Sequence, residues 1–253
     1  MAKVYVGVVI HGSPDYVTPG LDSLLNSEFD FPTRFVILDN GSPNPGDIKH
    51  ILDSVNRDYS HLAETHVSLE NKGCSGGWNF CIRRAYEDPE FEYMILAGPD
   101  IIVHKKTLSN LVHRYIRGGV DITSGVDVAY EQPMPEPVEQ EVFGANFSLI
   151  MLPKTTIDAV GLFDENIWPA YFEDNDYHFR AILANKGNGV WTWLAPFRHS
   201  RSLTVRNYSQ IIQHFAKNQS YFIAKWGGLP NDVLQKNDAL REGWKRYENP
   251  HNP

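Results

Sequence analysis

The chain has 253 residues, 42% of them hydrophobic and 21% charged, so it can bury a sizeable core and is neither fibrous nor wholly disordered. Its formal net charge of -8, with no basic stripe in the sequence, argues against a nucleic-acid partner, whose phosphates need clustered lysine and arginine. No apolar run approaches the roughly 20 residues of a membrane-spanning helix, and the strand-like start "MAKVYVGVVIHGS" gives the expectation of a chain that is not exported.

From the N-terminus, β-branched apolar runs alternate with helical patterns: "KVYVGVVI", then 16–27; "RFVILD", then 47–56; "ETHVSL", then 76–87; "EYMILAG", then 106–117. Strands separated by helices of that length predict parallel βαβ units with right-handed crossovers, an α/β fold that collects ligands at the carboxyl ends of its strands. Those ends read "IHGS" (10–13), "LDNGSPNPG" (38–46), "LENKGCSGG" (69–77) and "AGPD" (97–100), each replacing apolar residues with small, polar or acidic ones. The two cysteines, Cys74 and Cys81, share a predicted helix whose rise of about 1.5 Å per residue separates them too far for a disulfide, which fits a reducing cytoplasm.

After residue 125 the pattern changes. The proline-rich, acidic "DVAYEQPMPEPVEQE" (127–141) predicts a mobile loop, "VFGANFSLIMLP" (142–153) another strand, then a short helix, and "GVWTWL" (189–194) a last strand. Residues 207–226 carry Tyr208, Ile211, Ile212, Phe215, Phe222, Ile223 and Trp226, a core-packing helical stripe interrupted by Asn218 and Gln219. From 228 the chain is polar and ends in "NPHNP", the composition of a loosely held tail.

Several residues invite both a chemical and a structural reading. Asp39 at a strand end either accepts a hydrogen bond from a nucleoside or belongs to the Asn-Gly-Ser turn that follows. Gly73, Gly76 and Gly77, just ahead of a helix, suit either a close approach of backbone to diphosphate or tight helix–strand packing, and their spacing fits neither the dinucleotide nor the P-loop motif. Asp100 offers one carboxylate, enough for a divalent cation whose remaining ligands are phosphate and water, and His199 offers an imidazole. In "YFEDNDYHFR" (171–180), Glu173, Asp174 and Asp176 crowd together in an apolar setting, which costs stability unless a cation, a donor or a reacting proton uses them. Helical geometry places Glu173 and Asp176 on one face and Asp174 elsewhere; Arg180 at i+4 is the structural partner for Asp176.

In order along residues 3–200, "VILDNGSP", "NKGCSGGWNFCIRRA", "MILAGPDIIV", "GANFSLIMLPKTTIDAVGLFDENIWPAYFEDNDYHFR" and His199 resemble the family 2 glycosyltransferases of GT-A fold, particularly their rhamnosyltransferase-like branch. The resemblance implies a Rossmann-like, mixed but mainly parallel sheet flanked by helices over residues 1–204, with a nucleotide-sugar-binding half (1–104), an acceptor and catalytic half (105–204) and a C-terminal helix and polar tail (205–253). It implies a nucleoside-diphosphate sugar bound by His11, Asp39, Asn71, Gly73, Gly76, Gly77, Asn79 and Pro99, a Mn2+ or Mg2+ ion on Asp100 and His199, and a saccharide or glycan acceptor near Trp168 and Tyr171. Glu173 and Asp174 match the family's "ED" pair, which implies Asp174 as catalytic base of an inverting transfer. Two positions depart from the pattern: Gly98 and Pro99 precede Asp100 where the family carries a further polar residue, and Trp168 stands where the branch has phenylalanine. A catalytically silent nucleotide-sugar-binding protein and a glycosyltransferase acting on DNA bases are the competing readings.

Overall fold

A computed structural model describes residues 2–12, 14–129, 131–200 and 209–248. Its first half alternates β1 (Lys3–Ile10), α1 (Pro14–Leu25), β2 (Thr33–Asn40), α2 (Pro45–Asp58), β3 (Ala63–Ser68), α3 (Gly73–Ala85) and β4 (Phe91–Ala97). The second half runs through β5 (Ile101–Val103), α4 (Thr107–Ile116), β6 (Ile122–Val128), β7 (Glu141–Phe143), β8 (Leu149–Pro153), α5 (Lys154–Val160), α6 (Glu173–Leu183) and β9 (Gly189–His199). Three helices close the chain: α7 (Ser209–Trp226), α8 (Pro230–Lys236) and α9 (Asp238–Glu248).

The strands form one sheet in the order β3-β2-β1-β4-β8-β6-β9-β5, with β7 paired to β9. β1 runs parallel to both β2 and β4, β8 is antiparallel to β4 and β6, and β5 and β7 are antiparallel to β9. The chain leaves β1 towards β2 on one side and returns as β4 on the other, which opens a crevice at their carboxyl ends. Period-two alternation sorts β1 between two layers: Val4, Val6, Val8 and Ile10 pack with α1, α2 and α4, whereas Tyr5 faces Cys81 and Ile82 of α3. A strand covered on both faces has no use for polar residues, which is why "KVYVGVVI" reads as an almost continuous apolar run.

The second half departs from the sequence expectations in ways that matter for the site. Residues 142–153 are not one strand: β7 and β8 are separated by residues 144–148, where Gly144 adopts φ 148 and the chain turns over the strand ends. The last strand runs beyond 194 to His199, because residues 197–199 pair with β5. The 127–141 segment is anchored at its far end, with Val138 N–H donating to the Trp193 carbonyl, Trp193 N–H to that of Gln140, and Glu139 and Glu141 paired with Arg117 and Arg114.

The C-terminal region differs too. Residues 230–248, tail-like by composition, form α8 and α9, whose Val233, Leu234 and Leu240 join Ile167, Phe172, Phe179, Ile182 and Phe222 in a third apolar cluster. Along α7, Phe222 is buried but Phe215 and Ile223 are each 39% exposed, while Asn218 is fully buried. Tyr208 and the "NPHNP" end lie outside the described residues.

Candidate active site

A hollow of about 550 Å3 opens at the carboxyl ends of β1 and β4 and extends under the 144–148 and 169–171 segments. His11, Asn40, Asn71, Gly73, Pro99, Asp100, Asn146, Ser148, Tyr171, Glu173, Asp174, Trp191 and His199 all border it. That volume suits a ligand of nucleotide-sugar size.

At the β1–β3 end, a chain of side chains shapes the wall. His11 Nδ1 donates to the Asn40 carbonyl (3.2 Å) and Asn71 Nδ2 donates to His11 Nε2 (3.3 Å). Asn40 Nδ2 donates to Asn71 Oδ1 (3.2 Å) and to the Gly73 carbonyl (3.1 Å), while its Oδ1 accepts from Lys72 N–H (3.0 Å). Both faces of the Asn40 amide are therefore spent on the 71–73 turn that starts α3. Gly73 has φ 69, and a Cβ there would lie 2.7 Å from the Pro169 carbonyl oxygen, so the turn and the close approach both require glycine. Burial lowers the His11 pKa and favours a neutral ring in this network.

In the middle of the hollow, β5 pairs with β9 so that Ile101 faces His199, bringing Asp100 Oδ2 to 3.2 Å from His199 Nε2. His199 Nδ1 lies 3.4 Å from the Ser148 hydroxyl. A carboxylate and an imidazole side by side, only 8% of Asp100 being exposed, form an oxygen–nitrogen donor pair that fits Mn2+ or Mg2+ completed by phosphate and water. No group of three His, Cys, Asp or Glu among the described residues would hold a metal by protein ligands alone. A Cβ added at Gly98 would sit 3.1 Å from Asp100 Oδ1, so the departure from a polar residue there leaves the Asp100 carboxylate its room.

The opposite wall is the first turn of α6. Glu173, 8% exposed, and Asp174 both border the hollow, and Glu173 Oε2 has no hydrogen-bond partner. Burial pushes both carboxyls up, and the charge of Asp174 pushes Glu173 further. The expected sharing of a face by Glu173 and Asp176 does not extend to their surroundings. Asp176 is fully buried on the other side, held by Arg180 Nε (2.9 Å), Lys225 Nζ (2.7 Å) and Trp226 Nε1 (2.9 Å). Cys74 borders the same hollow, and burial, then Glu173, Asp174 and Asp100, push its thiol up.

Of the residues expected at the donor, His11, Asn71, Gly73 and Pro99 border the hollow, while Asp39, Gly76, Gly77 and Asn79 do not. Asp39 Oδ1 accepts from Ser42 N–H (3.0 Å), the turn chemistry of Asn-Gly-Ser. A Cβ on Gly77 would lie 2.5 Å from Val9 Cγ1, and one on Gly76 2.7 Å from Lys72 Cβ, so helix packing accounts for both. Asn79 ties α3 to the 163–165 segment, donating to the Phe163 carbonyl (2.9 Å) and Glu165 (2.8 Å) and accepting from Phe163 N–H (2.8 Å). Tyr171 borders the hollow, but the Trp168 indole is turned away from it, donating to the Asn71 carbonyl (2.8 Å) and meeting His214 edge-on at 4.5 Å. The aromatic side chains actually on the wall include Trp191 and Phe147, which sequence reasoning missed along with Asn40, Asn146 and Ser148. Asn40 was within reach, since it follows Asp39 on a strand whose successive side chains alternate in direction.

No helix among the described residues is long and apolar enough to cross a membrane. No curated protein matches the chain in sequence. Among solved structures it resembles S. aureus TarS 1-349 at 12% identity and a TM-score of 0.63, covering 99% of this chain and 74% of that one. It also resembles GalNAc-T7 with UDP, GalNAc and Mn2+, at 12% identity and a TM-score of 0.65, covering 100% of this chain and 58% of that one. The mannosyltransferase PcManGT from Pyrobaculum calidifontis, in complex with GDP-Man and Mn2+, aligns at 15% identity with a TM-score of 0.60, covering 96% of this chain and 73% of that one. At such identities the likeness is one of fold, the GT-A arrangement of a mainly parallel sheet flanked by helices. The profile described as "Glycosyl transferase family 2" matches residues 5–162, which is more than half of the sequence and runs from β1 through α5. On that match the chain belongs to glycosyl transferase family 2.

Proposed function

We propose that the hollow binds a nucleoside-diphosphate sugar and transfers the sugar, with inversion at its anomeric carbon, to a hydroxyl of a saccharide or glycan acceptor. The observation that carries the reading is that Asp100, His199 and the adjacent Glu173 and Asp174, supplied by three separate stretches of strand end or helix start, border one cavity. The nucleotide or nucleotide sugar and Mn2+ held by GalNAc-T7 and PcManGT support the donor class.

In this reading His11 and Asn71 flank the nucleoside, and the diphosphate lies between the Gly73 turn at the start of α3 and the Asp100–His199 pair. A divalent cation on that pair would offset the charge that grows on the departing diphosphate. Asp174 takes the proton of the attacking hydroxyl, and its raised pKa brings its basicity closer to that task than an exposed aspartate's. Glu173, held uncharged by burial and by its neighbour, orients the acceptor by donating a hydrogen bond. The half-open Trp191 indole, 36% exposed on the wall, is the surface on which an acceptor ring stacks, in place of Trp168. The branch resemblance nominates a nucleoside-diphosphate rhamnose among the donors.

A panel of UDP-, GDP- and dTDP-sugars, with and without Mn2+, tests this directly through thermal stabilisation, since a ligand that binds the folded chain raises its apparent stability. One donor should stabilise the chain and release its nucleoside diphosphate during turnover. Asp174→Asn should keep the stabilisation and lose about 100-fold or more in turnover. Stabilisation by no nucleotide sugar would overturn the reading, and stabilisation without turnover in the native chain would leave a silent binding protein.

A further inference from the structure

Residues 167–172 form a strap that leads from buried Ile167 into α6 and roofs the hollow with Pro169, Ala170 and Tyr171. One side of the strap rests on the donor-side turn: Cys74 N–H donates to the Pro169 carbonyl (2.7 Å) and Trp168 Nε1 to that of Asn71 (2.8 Å). Its other end is Tyr171 and Phe172, with φ 75 and 77, immediately before Glu173 and Asp174. Two successive non-glycine residues in the left-handed region cost of order 1 kcal/mol each or more, and persist only where their surroundings fix them.

The fixing comes from α7. Asn218, with no exposed surface, accepts from Trp168 N–H through Oδ1 (3.3 Å) and donates through Nδ2 to the carbonyl of Ala170 (2.8 Å), with that of Tyr171 at 3.5 Å. Around it, Phe215 packs on Tyr171 (5.4 Å between ring centres) and Phe172 (5.2 Å), and Phe222 on Phe172 (5.3 Å). Leucine would serve apolar packing at that position, and a buried amide is costly unless its donor and acceptor are both used. Here both are used on one short segment, the one that sets where α6 begins.

We propose that Asn218 is a positioning residue for sugar transfer. By clamping the 168–171 backbone it holds the Glu173–Asp174 turn at a fixed distance from the donor-side turn, which makes α7 a buttress behind the active site, although none of its described residues borders the hollow. The inference rests on the transferase reading of the hollow.

The test compares Asn218→Leu, which keeps the bulk, with Asn218→Asp, which keeps the acceptor and sets a second oxygen against the Ala170 carbonyl; Lys217→Ala on the exposed face is the control. Four quantities are read: amide hydrogen exchange over 168–174, kcat and donor KM for whichever nucleotide sugar the native chain turns over, and Tm. Both Asn218 variants should exchange faster at 168–172 and lose about tenfold or more in kcat with a smaller change in donor KM, because small displacements of a catalytic group weigh on the transition state. A role confined to stability would lower Tm and leave kcat of the folded variant unchanged, and either that result or native exchange at 168–172 in a folded variant overturns the proposal. Should Asn218→Leu fail to fold, Asn218→Asp carries the comparison alone. If the native chain turns over no donor, the transferase reading falls, and the exchange comparison decides the clamp by itself.

Discussion

Asp100 Oδ2 stands 3.2 Å from His199 Nε2 because the short β5, directly after Asp100, pairs antiparallel with the last residues of β9. The pair offers one carboxylate oxygen and one imidazole nitrogen, so a cation held there would have most of its shell left for a diphosphate and water. Asp100→Ala should therefore abolish the gain that Mn2+ brings to nucleoside-diphosphate affinity, measured by calorimetry with and without the metal. Turnover should fall by about 100-fold, the scale on which charge stabilisation of a leaving group acts. An undiminished response to Mn2+ would place the cation elsewhere.

Glu173 gives a prediction for stability against pH. Burial and then Asp174 push its folded-state pKa up to about 8. A raised carboxyl pKa means that the folded state prefers the proton, so the stability it contributes is present below the ordinary carboxylate range and is lost as pH rises through about 8. Glu173→Gln removes that loss. Thermal melts should show the variant level with the native chain near pH 4 and above it at pH 9, by at least about 3 °C or roughly 1 kcal/mol for a chain of this size. A variant no more stable at pH 9 would contradict the uncharged carboxyl.

Asp176 holds α7 against α6 through Lys225, Trp226 and Arg180, and Lys225 reaches Asp164 as well (2.6 Å). Burial opposes the charge on Asp164, but hydrogen bonds from Lys225, Asn166 and Tyr221 override it and hold its pKa below the usual carboxylate range. Truncating one member of a buried charged network leaves the others uncompensated, so Asp176→Ala should lower the free energy of unfolding by about 3 kcal/mol in a denaturant titration. Nucleotide binding to the folded fraction should persist, since Asp176 does not border the hollow.

Asn40 donates to two oxygens, Asn71 Oδ1 and the Gly73 carbonyl. An aspartate there would turn both contacts into oxygen against oxygen while keeping the bond from Lys72 N–H, at a cost of about 2 kcal/mol in local order. Asn40→Asp should weaken nucleoside-diphosphate binding by about tenfold or more, with Asn40→Ser losing less. Equal affinity in Asn40→Asp would show that the turn does not shape the donor site.

The parallel half was legible because doubly covered strands must be apolar throughout, so "RFVILD" and "EYMILAG" announce themselves and their polar ends announce the crevice. The "ED" pair stood out because charge crowded among aromatics needs a reason. β5 and β7 have only three residues each, too few for any alternation to register, and without β5 the meeting of Asp100 and His199 follows from no local pattern. Trp168 and Trp191 look alike in a sequence, yet one indole is occupied by the Asn71 carbonyl and the other faces the hollow. Asn218 reads as a flaw in an apolar stripe until the backbone it serves is in view. In α8 and α9, three buried residues, Val233, Leu234 and Leu240, are spread too thinly along a polar stretch to betray helices.

The chemistry of the two thiols has a practical side. Cys74 sits in the first turn of α3, where a helix start would favour a thiolate, but its burial, then the neighbouring acidic side chains, push its thiol up; Cys81, wholly enclosed, is pushed up by loss of solvent. Maleimides and iodoacetamides attack the anion, so at neutral pH both thiols should react slowly with them, Cys74 at the hollow being the more accessible of the two. A single Ser220→Cys on the open flank of α7 should then take up a fluorophore faster than either native thiol, which gives a probe at one known address.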